Sequence, residues 1–323
     1  MARLPDVPGP KLAPFDTNGE PLEIEFVKEI GKGSHSLVWE VTINGSNYAL
    51  KIFNWNTGTP DDQGVELTDD EWENYFWPFP NECRAYGRLK EFHQEHLAFK
   101  CYGYLKIEGS HFEFLREVYN DFAGRHWYYV PELEECQEKS LHAIVKELVT
   151  IPDGVHRLDL SMNRRMARRA IKNLDSLHKL GICDLDINED NFMMGKQLDF
   201  STAMTAPHPF LTRKHGDSFK PLREAELDRG ALDELIRDWN ERHPNEQQIA
   251  FRCRMSPYNL RQNKPDYIRP KRFHPADFDY EKARSQHDKT NERKVKCKTE
   301  TTRDNGNKSK PKNSKEAPIQ SEP

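Results

Sequence analysis

The residues of this chain best suited to chemistry lie between Asp186 and Asp199. Asn191 follows Asp186 by five positions, and Asp199 follows Asn191 by eight. Carboxylate and amide oxygens are the ligands that Mg²⁺ prefers, so Asn191 and Asp199 are candidate Mg²⁺ ligands. Asp186 could accept the proton of an attacking hydroxyl group. The three residues together predict Mg²⁺-dependent transfer of a phosphoryl group to a hydroxyl acceptor.

A second group of candidate residues surrounds a glycine-rich turn near the start of the chain. Gly31 and Gly33 would let the backbone approach phosphate groups closely, and Lys51 would supply a positive charge to the phosphates of ATP. This turn lies between two predicted strands. The phosphate-binding loops of the Rossmann and Walker types are followed by a helix instead, so the turn is of a different kind. The predicted cofactors are therefore ATP and Mg²⁺. The residues expected to line the nucleotide are Gly31, Gly33, Ser36, Val38, Ala49, Lys51, Glu147 and Val149.

Glu82 is the predicted partner of the lysine. It lies on a helix that is expected to begin at Asn81, a good N-cap residue. A carboxylate there would hold Lys51 in place, so the catalytic set is Asp186, Lys51 and Glu82.

A hinge is expected after the strand-like run that ends near Val145. Backbone groups from Glu147 to Val149 would face adenine, and Lys146 lies at the back of that pocket. A lysine is unusual at such a position, and it is expected either to turn outward or to pair with an acid.

Strands and helices must position these residues. Alternating runs predict strands at Ile24–Ile30 and Leu37–Ile43, and Asn44-Gly45 predicts a hairpin into the third strand. An amphipathic helix is predicted from Ser161 to Leu180, and another from Glu224 to Glu241. The apolar stripe of the first helix consists of Met162, Met166, Ala170, Leu174 and Leu177.

The order of these signals is that of protein kinases, which predicts an α+β, two-lobed protein-kinase-like fold with a truncated C-lobe. The predicted organisation is an extended segment at 1–23, an N-lobe at 24–150, a reduced C-lobe at 151–262 and a basic, largely disordered tail at 263–323. The C-lobe is reduced because the chain between Thr202 and Gln262 is too short for the usual substrate-binding helices.

Several residues depart from the kinase pattern. Asp184 and Leu185 replace the histidine and arginine before the catalytic aspartate, and Asn188 replaces the lysine after it. Because Asn188 is uncharged, the positive charge that the lysine would place on the transferring phosphate is lost. Ser201 replaces the glycine that usually follows Asp-Phe. Three hypotheses stay open: a protein-kinase-like phosphotransferase, a small-molecule kinase, and a pseudokinase that serves as a scaffold.

Charge is distributed unevenly along the 323 residues. The formal net charge is −5, but residues 282–323 carry +6, which leaves −11 for residues 1–281. An acidic body argues against nucleic acid binding by the folded part, so such contact is predicted only through the tail. The chain shows no signal peptide and no apolar run of membrane-spanning length. It is expected in the nucleus or cytoplasm, with its six cysteines reduced.

The chain also resembles a fungal family named after a subunit of the kinetochore Sim4 complex. The resemblance covers most of residues 8–262. It implies a protein-kinase-like fold and a kinetochore-associated role. The matching stretches are PGPKLAPF (8–15), IGKGSHSLVWEVTINGSNYALKIF (30–53), PNECRAYGRLKE (80–91), AIVKELV (143–149), LHKLGICDLDINEDNFMMGKQLDFSTAMTAPHP (177–209) and the region around Trp239-Asn240.

An aromatic cluster from Trp72 to Phe79 ends the acidic insertion at 54–80. It is expected either to dock a protein partner or to pack on the small lobe. The basic tail is the other candidate surface for a protein partner.

Overall fold

The computed structural model describes residues 7–33, 35–53, 68–123, 140–150, 162–211, 220–249 and 278–285, with the short pieces 4, 154–155 and 158–159. Met1–Phe278 form one compact unit and Asp279–Pro323 a second, in which residues 280–285 are helical. The first part of the acidic insertion, 54–67, lies outside the described residues, as do 263–277 and 286–323 of the predicted tail.

A five-stranded antiparallel sheet forms the N-terminal part of an α+β fold, with strand order β1-β2-β3-β5-β4. The three antiparallel strands predicted at the start of the chain are confirmed. The strands of this sheet are β1 Ile24–Lys32, β2 Ser36–Ile43, β3 Ser46–Phe53, β4 Cys101–Ile107 and β5 Leu141–Lys146.

The predicted hairpin between β2 and β3 is confirmed by its backbone. Asn44 and Gly45 have φ angles of 47° and 77°, as a tight hairpin turn requires. Strand β1 has a register shift between Phe26 and Lys28, and Val27 at that point is 51% exposed.

Within Met1–Phe278, the part of the chain that is described contains five helices whose bounds are defined. They are α1 Asp69–Phe76, α2 Pro78–Glu91, α3 Gly109–Ala123, α4 Arg164–Lys179 and α5 Lys220–Arg242. Short strands lie between α4 and α5: β6 Ile182–Cys183, β7 Phe192–Met193, β8 Lys196–Gln197 and β9 Met204–Thr205. No helix among the described residues is long and apolar enough to cross a membrane.

The prediction that α2 begins at Asn81 was wrong. The helix begins at Pro78, whose fixed φ and missing N–H suit the first helical position. Asn81 lies inside the helix, where its Nδ2 donates to the carbonyl oxygen of Ser201 at 3.2 Å. Its side chain therefore ties α2 to the segment that follows Asp199.

Helix α4 follows the predicted pattern closely. The Asn163 side chain caps it by accepting hydrogen bonds from the N–H groups of Arg165 and Met166, each at 2.9 Å. Gly181 ends it with a φ of 72°. Of the predicted stripe, Met162, Ala170, Leu174 and Leu177 are buried and Met166 is half-buried.

Both faces of the sheet are covered. On β5, Ala143 and Val145 pack in one cluster with Phe112 and Leu115 of α3. Ile144, between them in sequence, packs in a second cluster that includes α2. Alternate residues of a strand point to opposite faces, so α2 and α3 lie on opposite sides of the sheet.

The N-terminal segment is extended, as predicted, but it packs more tightly than a surface segment would. Leu12 is only 2% exposed, and the Phe15 N–H donates to the Tyr104 carbonyl oxygen at 2.8 Å. Gly87 of α2 permits this approach, because a Cβ there would lie 2.6–2.9 Å from backbone atoms of Lys11.

Replacing Gly87 by alanine is therefore expected to lower the free energy of unfolding. The added methyl group must displace backbone, and overpacking of this kind costs about 1–3 kcal/mol. Gly33→Ala is the matched control, because its Cβ would meet only the Ser36 carbonyl oxygen, at 4.0 Å. Urea unfolding of both variants measures the difference. Equal stability of the two variants would contradict the close approach.

Candidate functional site

A buried ion pair joins three elements that are far apart in sequence. Lys51 lies on β3, Glu82 on α2, and Asp199 just after β8. The Lys51 Nζ lies 2.7 Å from Glu82 Oε2 and 2.5 Å from Asp199 Oδ1. The side chains of Lys51 and Glu82 are 4% and 0% exposed. The structure thus brings together the lysine and the two acids that the sequence singled out.

Lys146 completes this cluster from the end of β5. Its Nζ lies 2.7 Å from the second carboxylate oxygen of Glu82, and it also donates to the carbonyl oxygen of Leu198. Of the two expectations for Lys146, pairing with an acid is the one observed. We call Lys51, Lys146, Glu82 and Asp199 the ion cluster.

The charges of the ion cluster support one another. Burial alone would lower the pKa of Lys146, but Glu82 and Asp199 outweigh burial and raise it. Burial likewise opposes ionisation of Asp199, yet Lys51 and Lys146 hold the pKa of that carboxyl well below its usual range. Lys146 and Asp199 are therefore held in their charged forms by the groups that they contact in the ion cluster.

Asp186 is held by its own loop. Its Oδ1 accepts from Asn188 Nδ2 at 2.9 Å, and its Oδ2 accepts from Asn191 Nδ2 at 2.6 Å. Asn188, which stands where kinases have lysine, therefore binds the carboxylate itself.

Two candidate Mg²⁺ ligand atoms remain. Among the described residues, no hydrogen bond reaches Asn191 Oδ1 or Asp199 Oδ2. Asn191 and Asp199 thus retain one oxygen each with which a divalent cation could be bound.

The glycine-rich turn joins β1 and β2, and β2 pairs with the strand that carries Lys51. Gly31 pairs with Val38, and Val38 pairs with Lys51 on the next strand. Ser36 is buried and accepts a hydrogen bond from the Gly33 N–H at 2.9 Å, and Ala49 pairs with Lys146.

His35, near the tip of this turn, reaches across to the segment after Asp199. Its Nδ1 lies 3.4 Å from Ser201 Oγ. Burial and the charge of Lys51 lower the pKa of His35, so the ring is neutral at pH 7. Sequence reasoning did not include His35 in the site.

In the predicted hinge, Glu147 is hydrogen-bonded to the backbone of Lys100. The Glu147 N–H donates to the Lys100 carbonyl oxygen at 2.9 Å, and its carboxylate accepts from the Lys100 N–H at 3.2 Å. Glu147 is exposed and Val149 is half-buried.

Sequence reasoning also missed Asp228 of α5. Its carboxylate accepts hydrogen bonds from the backbone N–H groups of Asp184 and Leu185, at 3.0 and 2.7 Å, and lies 2.8 Å from His178 Nε2. Leu185 has a φ of 71°, and this anchor holds it there. The sequence did contain a sign of this role, because Asp228 lies four positions before Leu232 and so falls on the apolar face of the predicted helix.

Asp184 has a buried carboxyl group with no hydrogen-bond partner among the described residues. The residue is 1% exposed. Burial, and then the negative charge of Asp228, raise its pKa well above the usual range.

The aromatic residues before α2 pack within the chain. Phe76 stacks on Trp72 with ring centroids 4.3 Å apart and meets Phe210 at 4.8 Å. Tyr75 and Phe79 are buried. This packing favours the structural alternative for the aromatic cluster.

The chain matches the model of a known protein family. A family model described as kinetochore Sim4 complex subunit FTA2 matches residues 1–204. That range contains the whole five-stranded sheet, the ion cluster and the Asp186 loop. No curated protein matches the chain.

Glu82→Gln is expected to destabilise the protein by about 3–5 kcal/mol, because it leaves buried lysines without the carboxylate that they share. Lys146→Met is the matched control, since Glu82 then keeps Lys51 as its partner. Denaturant unfolding measures both. A Glu82→Gln variant that loses less stability than Lys146→Met would contradict the central place of Glu82.

Asp184→Asn is expected to raise the free energy of unfolding at pH 7, because the amide stays neutral in this buried place without having to bind a proton. The folded state binds the Asp184 proton more tightly than the unfolded chain does. Wild-type stability relative to the variant therefore falls as the pH rises above about 4. Unfolding between pH 4 and 8 tests this, and a difference that does not change with pH would refute it.

Proposed function

Because the chain belongs to the family of the kinetochore Sim4 complex subunit FTA2, we propose that it acts as a protein-binding subunit of a kinetochore assembly in the nucleus. The family match is the observation that carries this proposal. Its partners are then other proteins of that assembly, and catalysis is not needed for its role.

The chemistry of the site supports a scaffold. Each lysine of the ion cluster is satisfied by acids of the same cluster, so the cluster is complete without a ligand. Asp186 is held by two amides of its own loop, and Asn188 cannot supply the positive charge that stabilises a transferring phosphate.

The scaffold is proposed to be a protein-kinase-like fold with two lobes, the second one reduced. Three features support this fold. Lys51 lies on the third strand of an antiparallel sheet, Glu82 lies on a helix between β3 and β4, and Asp228 of a later helix anchors the backbone before Asp186. The proposed boundaries stay at 24–150 and 151–262.

Asp186→Asn is expected to leave the cellular role intact, because the proposed role needs the fold and not a general base. The measurement is recruitment of the fluorescently tagged chain to kinetochores, with the native sequence as reference. Asn188→Ala serves as the control for loop geometry. Loss of recruitment in Asp186→Asn, with normal recruitment of Asn188→Ala, would overturn the proposal.

Binding of Mg²⁺-ATP is a second candidate function. It is favoured by the meeting of Lys51, Glu82 and Asp199, and by the oxygens of Asn191 and Asp199 that no hydrogen bond reaches among the described residues. Lys51 would then contact phosphate, Asn191 and Asp199 would hold Mg²⁺, and the Glu147–Val149 backbone would face adenine. A bound Mg²⁺ would supply charge neutralisation on the phosphates.

For this second function, the thermal unfolding midpoint is expected to rise by several degrees at saturating Mg²⁺-ATP, since a ligand at a hundred times its Kd adds about 2.7 kcal/mol. Asn191→Ala should lose the Mg²⁺-dependent part of the shift, and Lys51→Ala the whole of it. Absence of any shift in the native protein would remove this function and leave the scaffold proposal standing.

A further inference from the structure

One face of helix α4 presents positive charges alone. Its exposed residues in the first three turns are all basic: Arg164, Arg165, Arg168, Arg169 and Lys172. Within the described part of the chain, none of these five forms a salt bridge, and Arg164 donates a hydrogen bond to the neutral Gln247 Oε1. The next acid along the helix, Asp175, is already paired with Arg229 at 2.5 Å.

These five residues and Asn173 line a groove of about 540 Å³, which we call the arginine groove. All six lining residues lie on helix α4, and the turn between β7 and β8 packs against this part of the helix. The Asn173 Nδ2 donates to the Gly195 carbonyl oxygen at 2.6 Å, and a Cβ on Gly195 would lie only 3.1 Å from the Cβ of Arg169. The preceding residue of that turn, Met194, is 41% exposed.

The arrangement is unfavourable for the helix in isolation. Like charges three or four positions apart repel one another, and residues such as Arg164 and Arg168, or Arg165 and Arg169, are at that spacing. Arg164 and Arg165 also lie in the first helical turn, where the helix dipole favours acids and disfavours cations. Both effects reverse when an anionic group lies across the face.

Four of the five cations are arginines, whose planar guanidinium groups bind carboxylates through two parallel hydrogen bonds. From Arg164 to Lys172 the helix rises by about 12 Å, which matches about four residues of an extended peptide. The groove therefore has the size and charge for a short acidic segment.

We propose that the arginine groove docks an acidic peptide segment of a protein partner. This inference rests on the proposed role as a protein-binding subunit. Charge favours a peptide over a nucleic acid duplex. Residues 1–281 carry a net charge of −11, so a long anionic duplex would meet repulsion beyond the groove, whereas a short segment contacts the groove alone.

The test uses the full chain and a fluorescein-labelled twelve-residue peptide of Glu, Asp and Leu, with a Gln, Asn and Leu peptide as the neutral reference. Fluorescence anisotropy should show binding of the acidic peptide only. The double variant R165E/R168E should weaken binding at least about tenfold, because it replaces attraction with repulsion. K179E is the matched control, since it makes one such reversal on the exposed end of the same helix, outside the groove.

Circular dichroism and unfolding of each variant establish that the helix is intact. Failure of the native protein to bind the acidic peptide would overturn the inference. An equal loss of peptide affinity in R165E/R168E and in K179E would also overturn it. So would a 20-base-pair DNA duplex that binds the native protein more tightly than the acidic peptide does, if the double variant abolishes that binding. Kinetochore recruitment of the native chain reports separately on the scaffold proposal. If the native chain is recruited to kinetochores but does not bind the acidic peptide, the docking proposal fails and the scaffold proposal stands.

Discussion

Glu82 is the carboxylate on which the described structure depends. It is fully buried and accepts one hydrogen bond from Lys51 and one from Lys146, through different oxygens. A buried ionic group of this kind is tolerated only when its partners are present. Because those partners come from β3 and β5, the sheet and helix α2 must fit together before any of these charges is compensated. Asp199 joins through Lys51 and brings the segment after β8 to the same point.

Two arginines of the same helix extend this connection. Arg88 is fully buried and donates to the carbonyl oxygens of Leu180 and Ala206, and Arg84 donates to that of Thr205. Helix α2 therefore carries one acid facing the sheet and two bases facing the chain that follows α4. The contacts of Glu82 and Asp199 with the two lysines give every charged group of the ion cluster an opposite charge within 2.7 Å.

Local patterns in the sequence predicted the first three strands, the Asn44-Gly45 hairpin and the stripe of α4. The kinase-like order of the motifs predicted the meeting of Lys51 with Glu82. The start of α2 was mistaken because the proline at Pro78 was not weighed against the cap propensity of Asn81. Lys146 and Asp228 were undetermined or missed because their partners lie across the fold, where spacing along the chain gives no information. The arginine groove was not predicted, because the net charge of −11 over residues 1–281 gives no information about a local cluster of five positive charges.

We propose that this chain binds kinetochore proteins through its folded surface and independently of nucleotide. The most direct measurement is the amount of kinetochore protein that co-purifies with the tagged chain from cell extract, with and without enzymatic removal of ATP. We expect kinetochore proteins to co-purify in an amount that is unchanged when ATP is removed. Co-purification that is absent, or that is lost on ATP removal and restored by Mg²⁺-ATP, would contradict it.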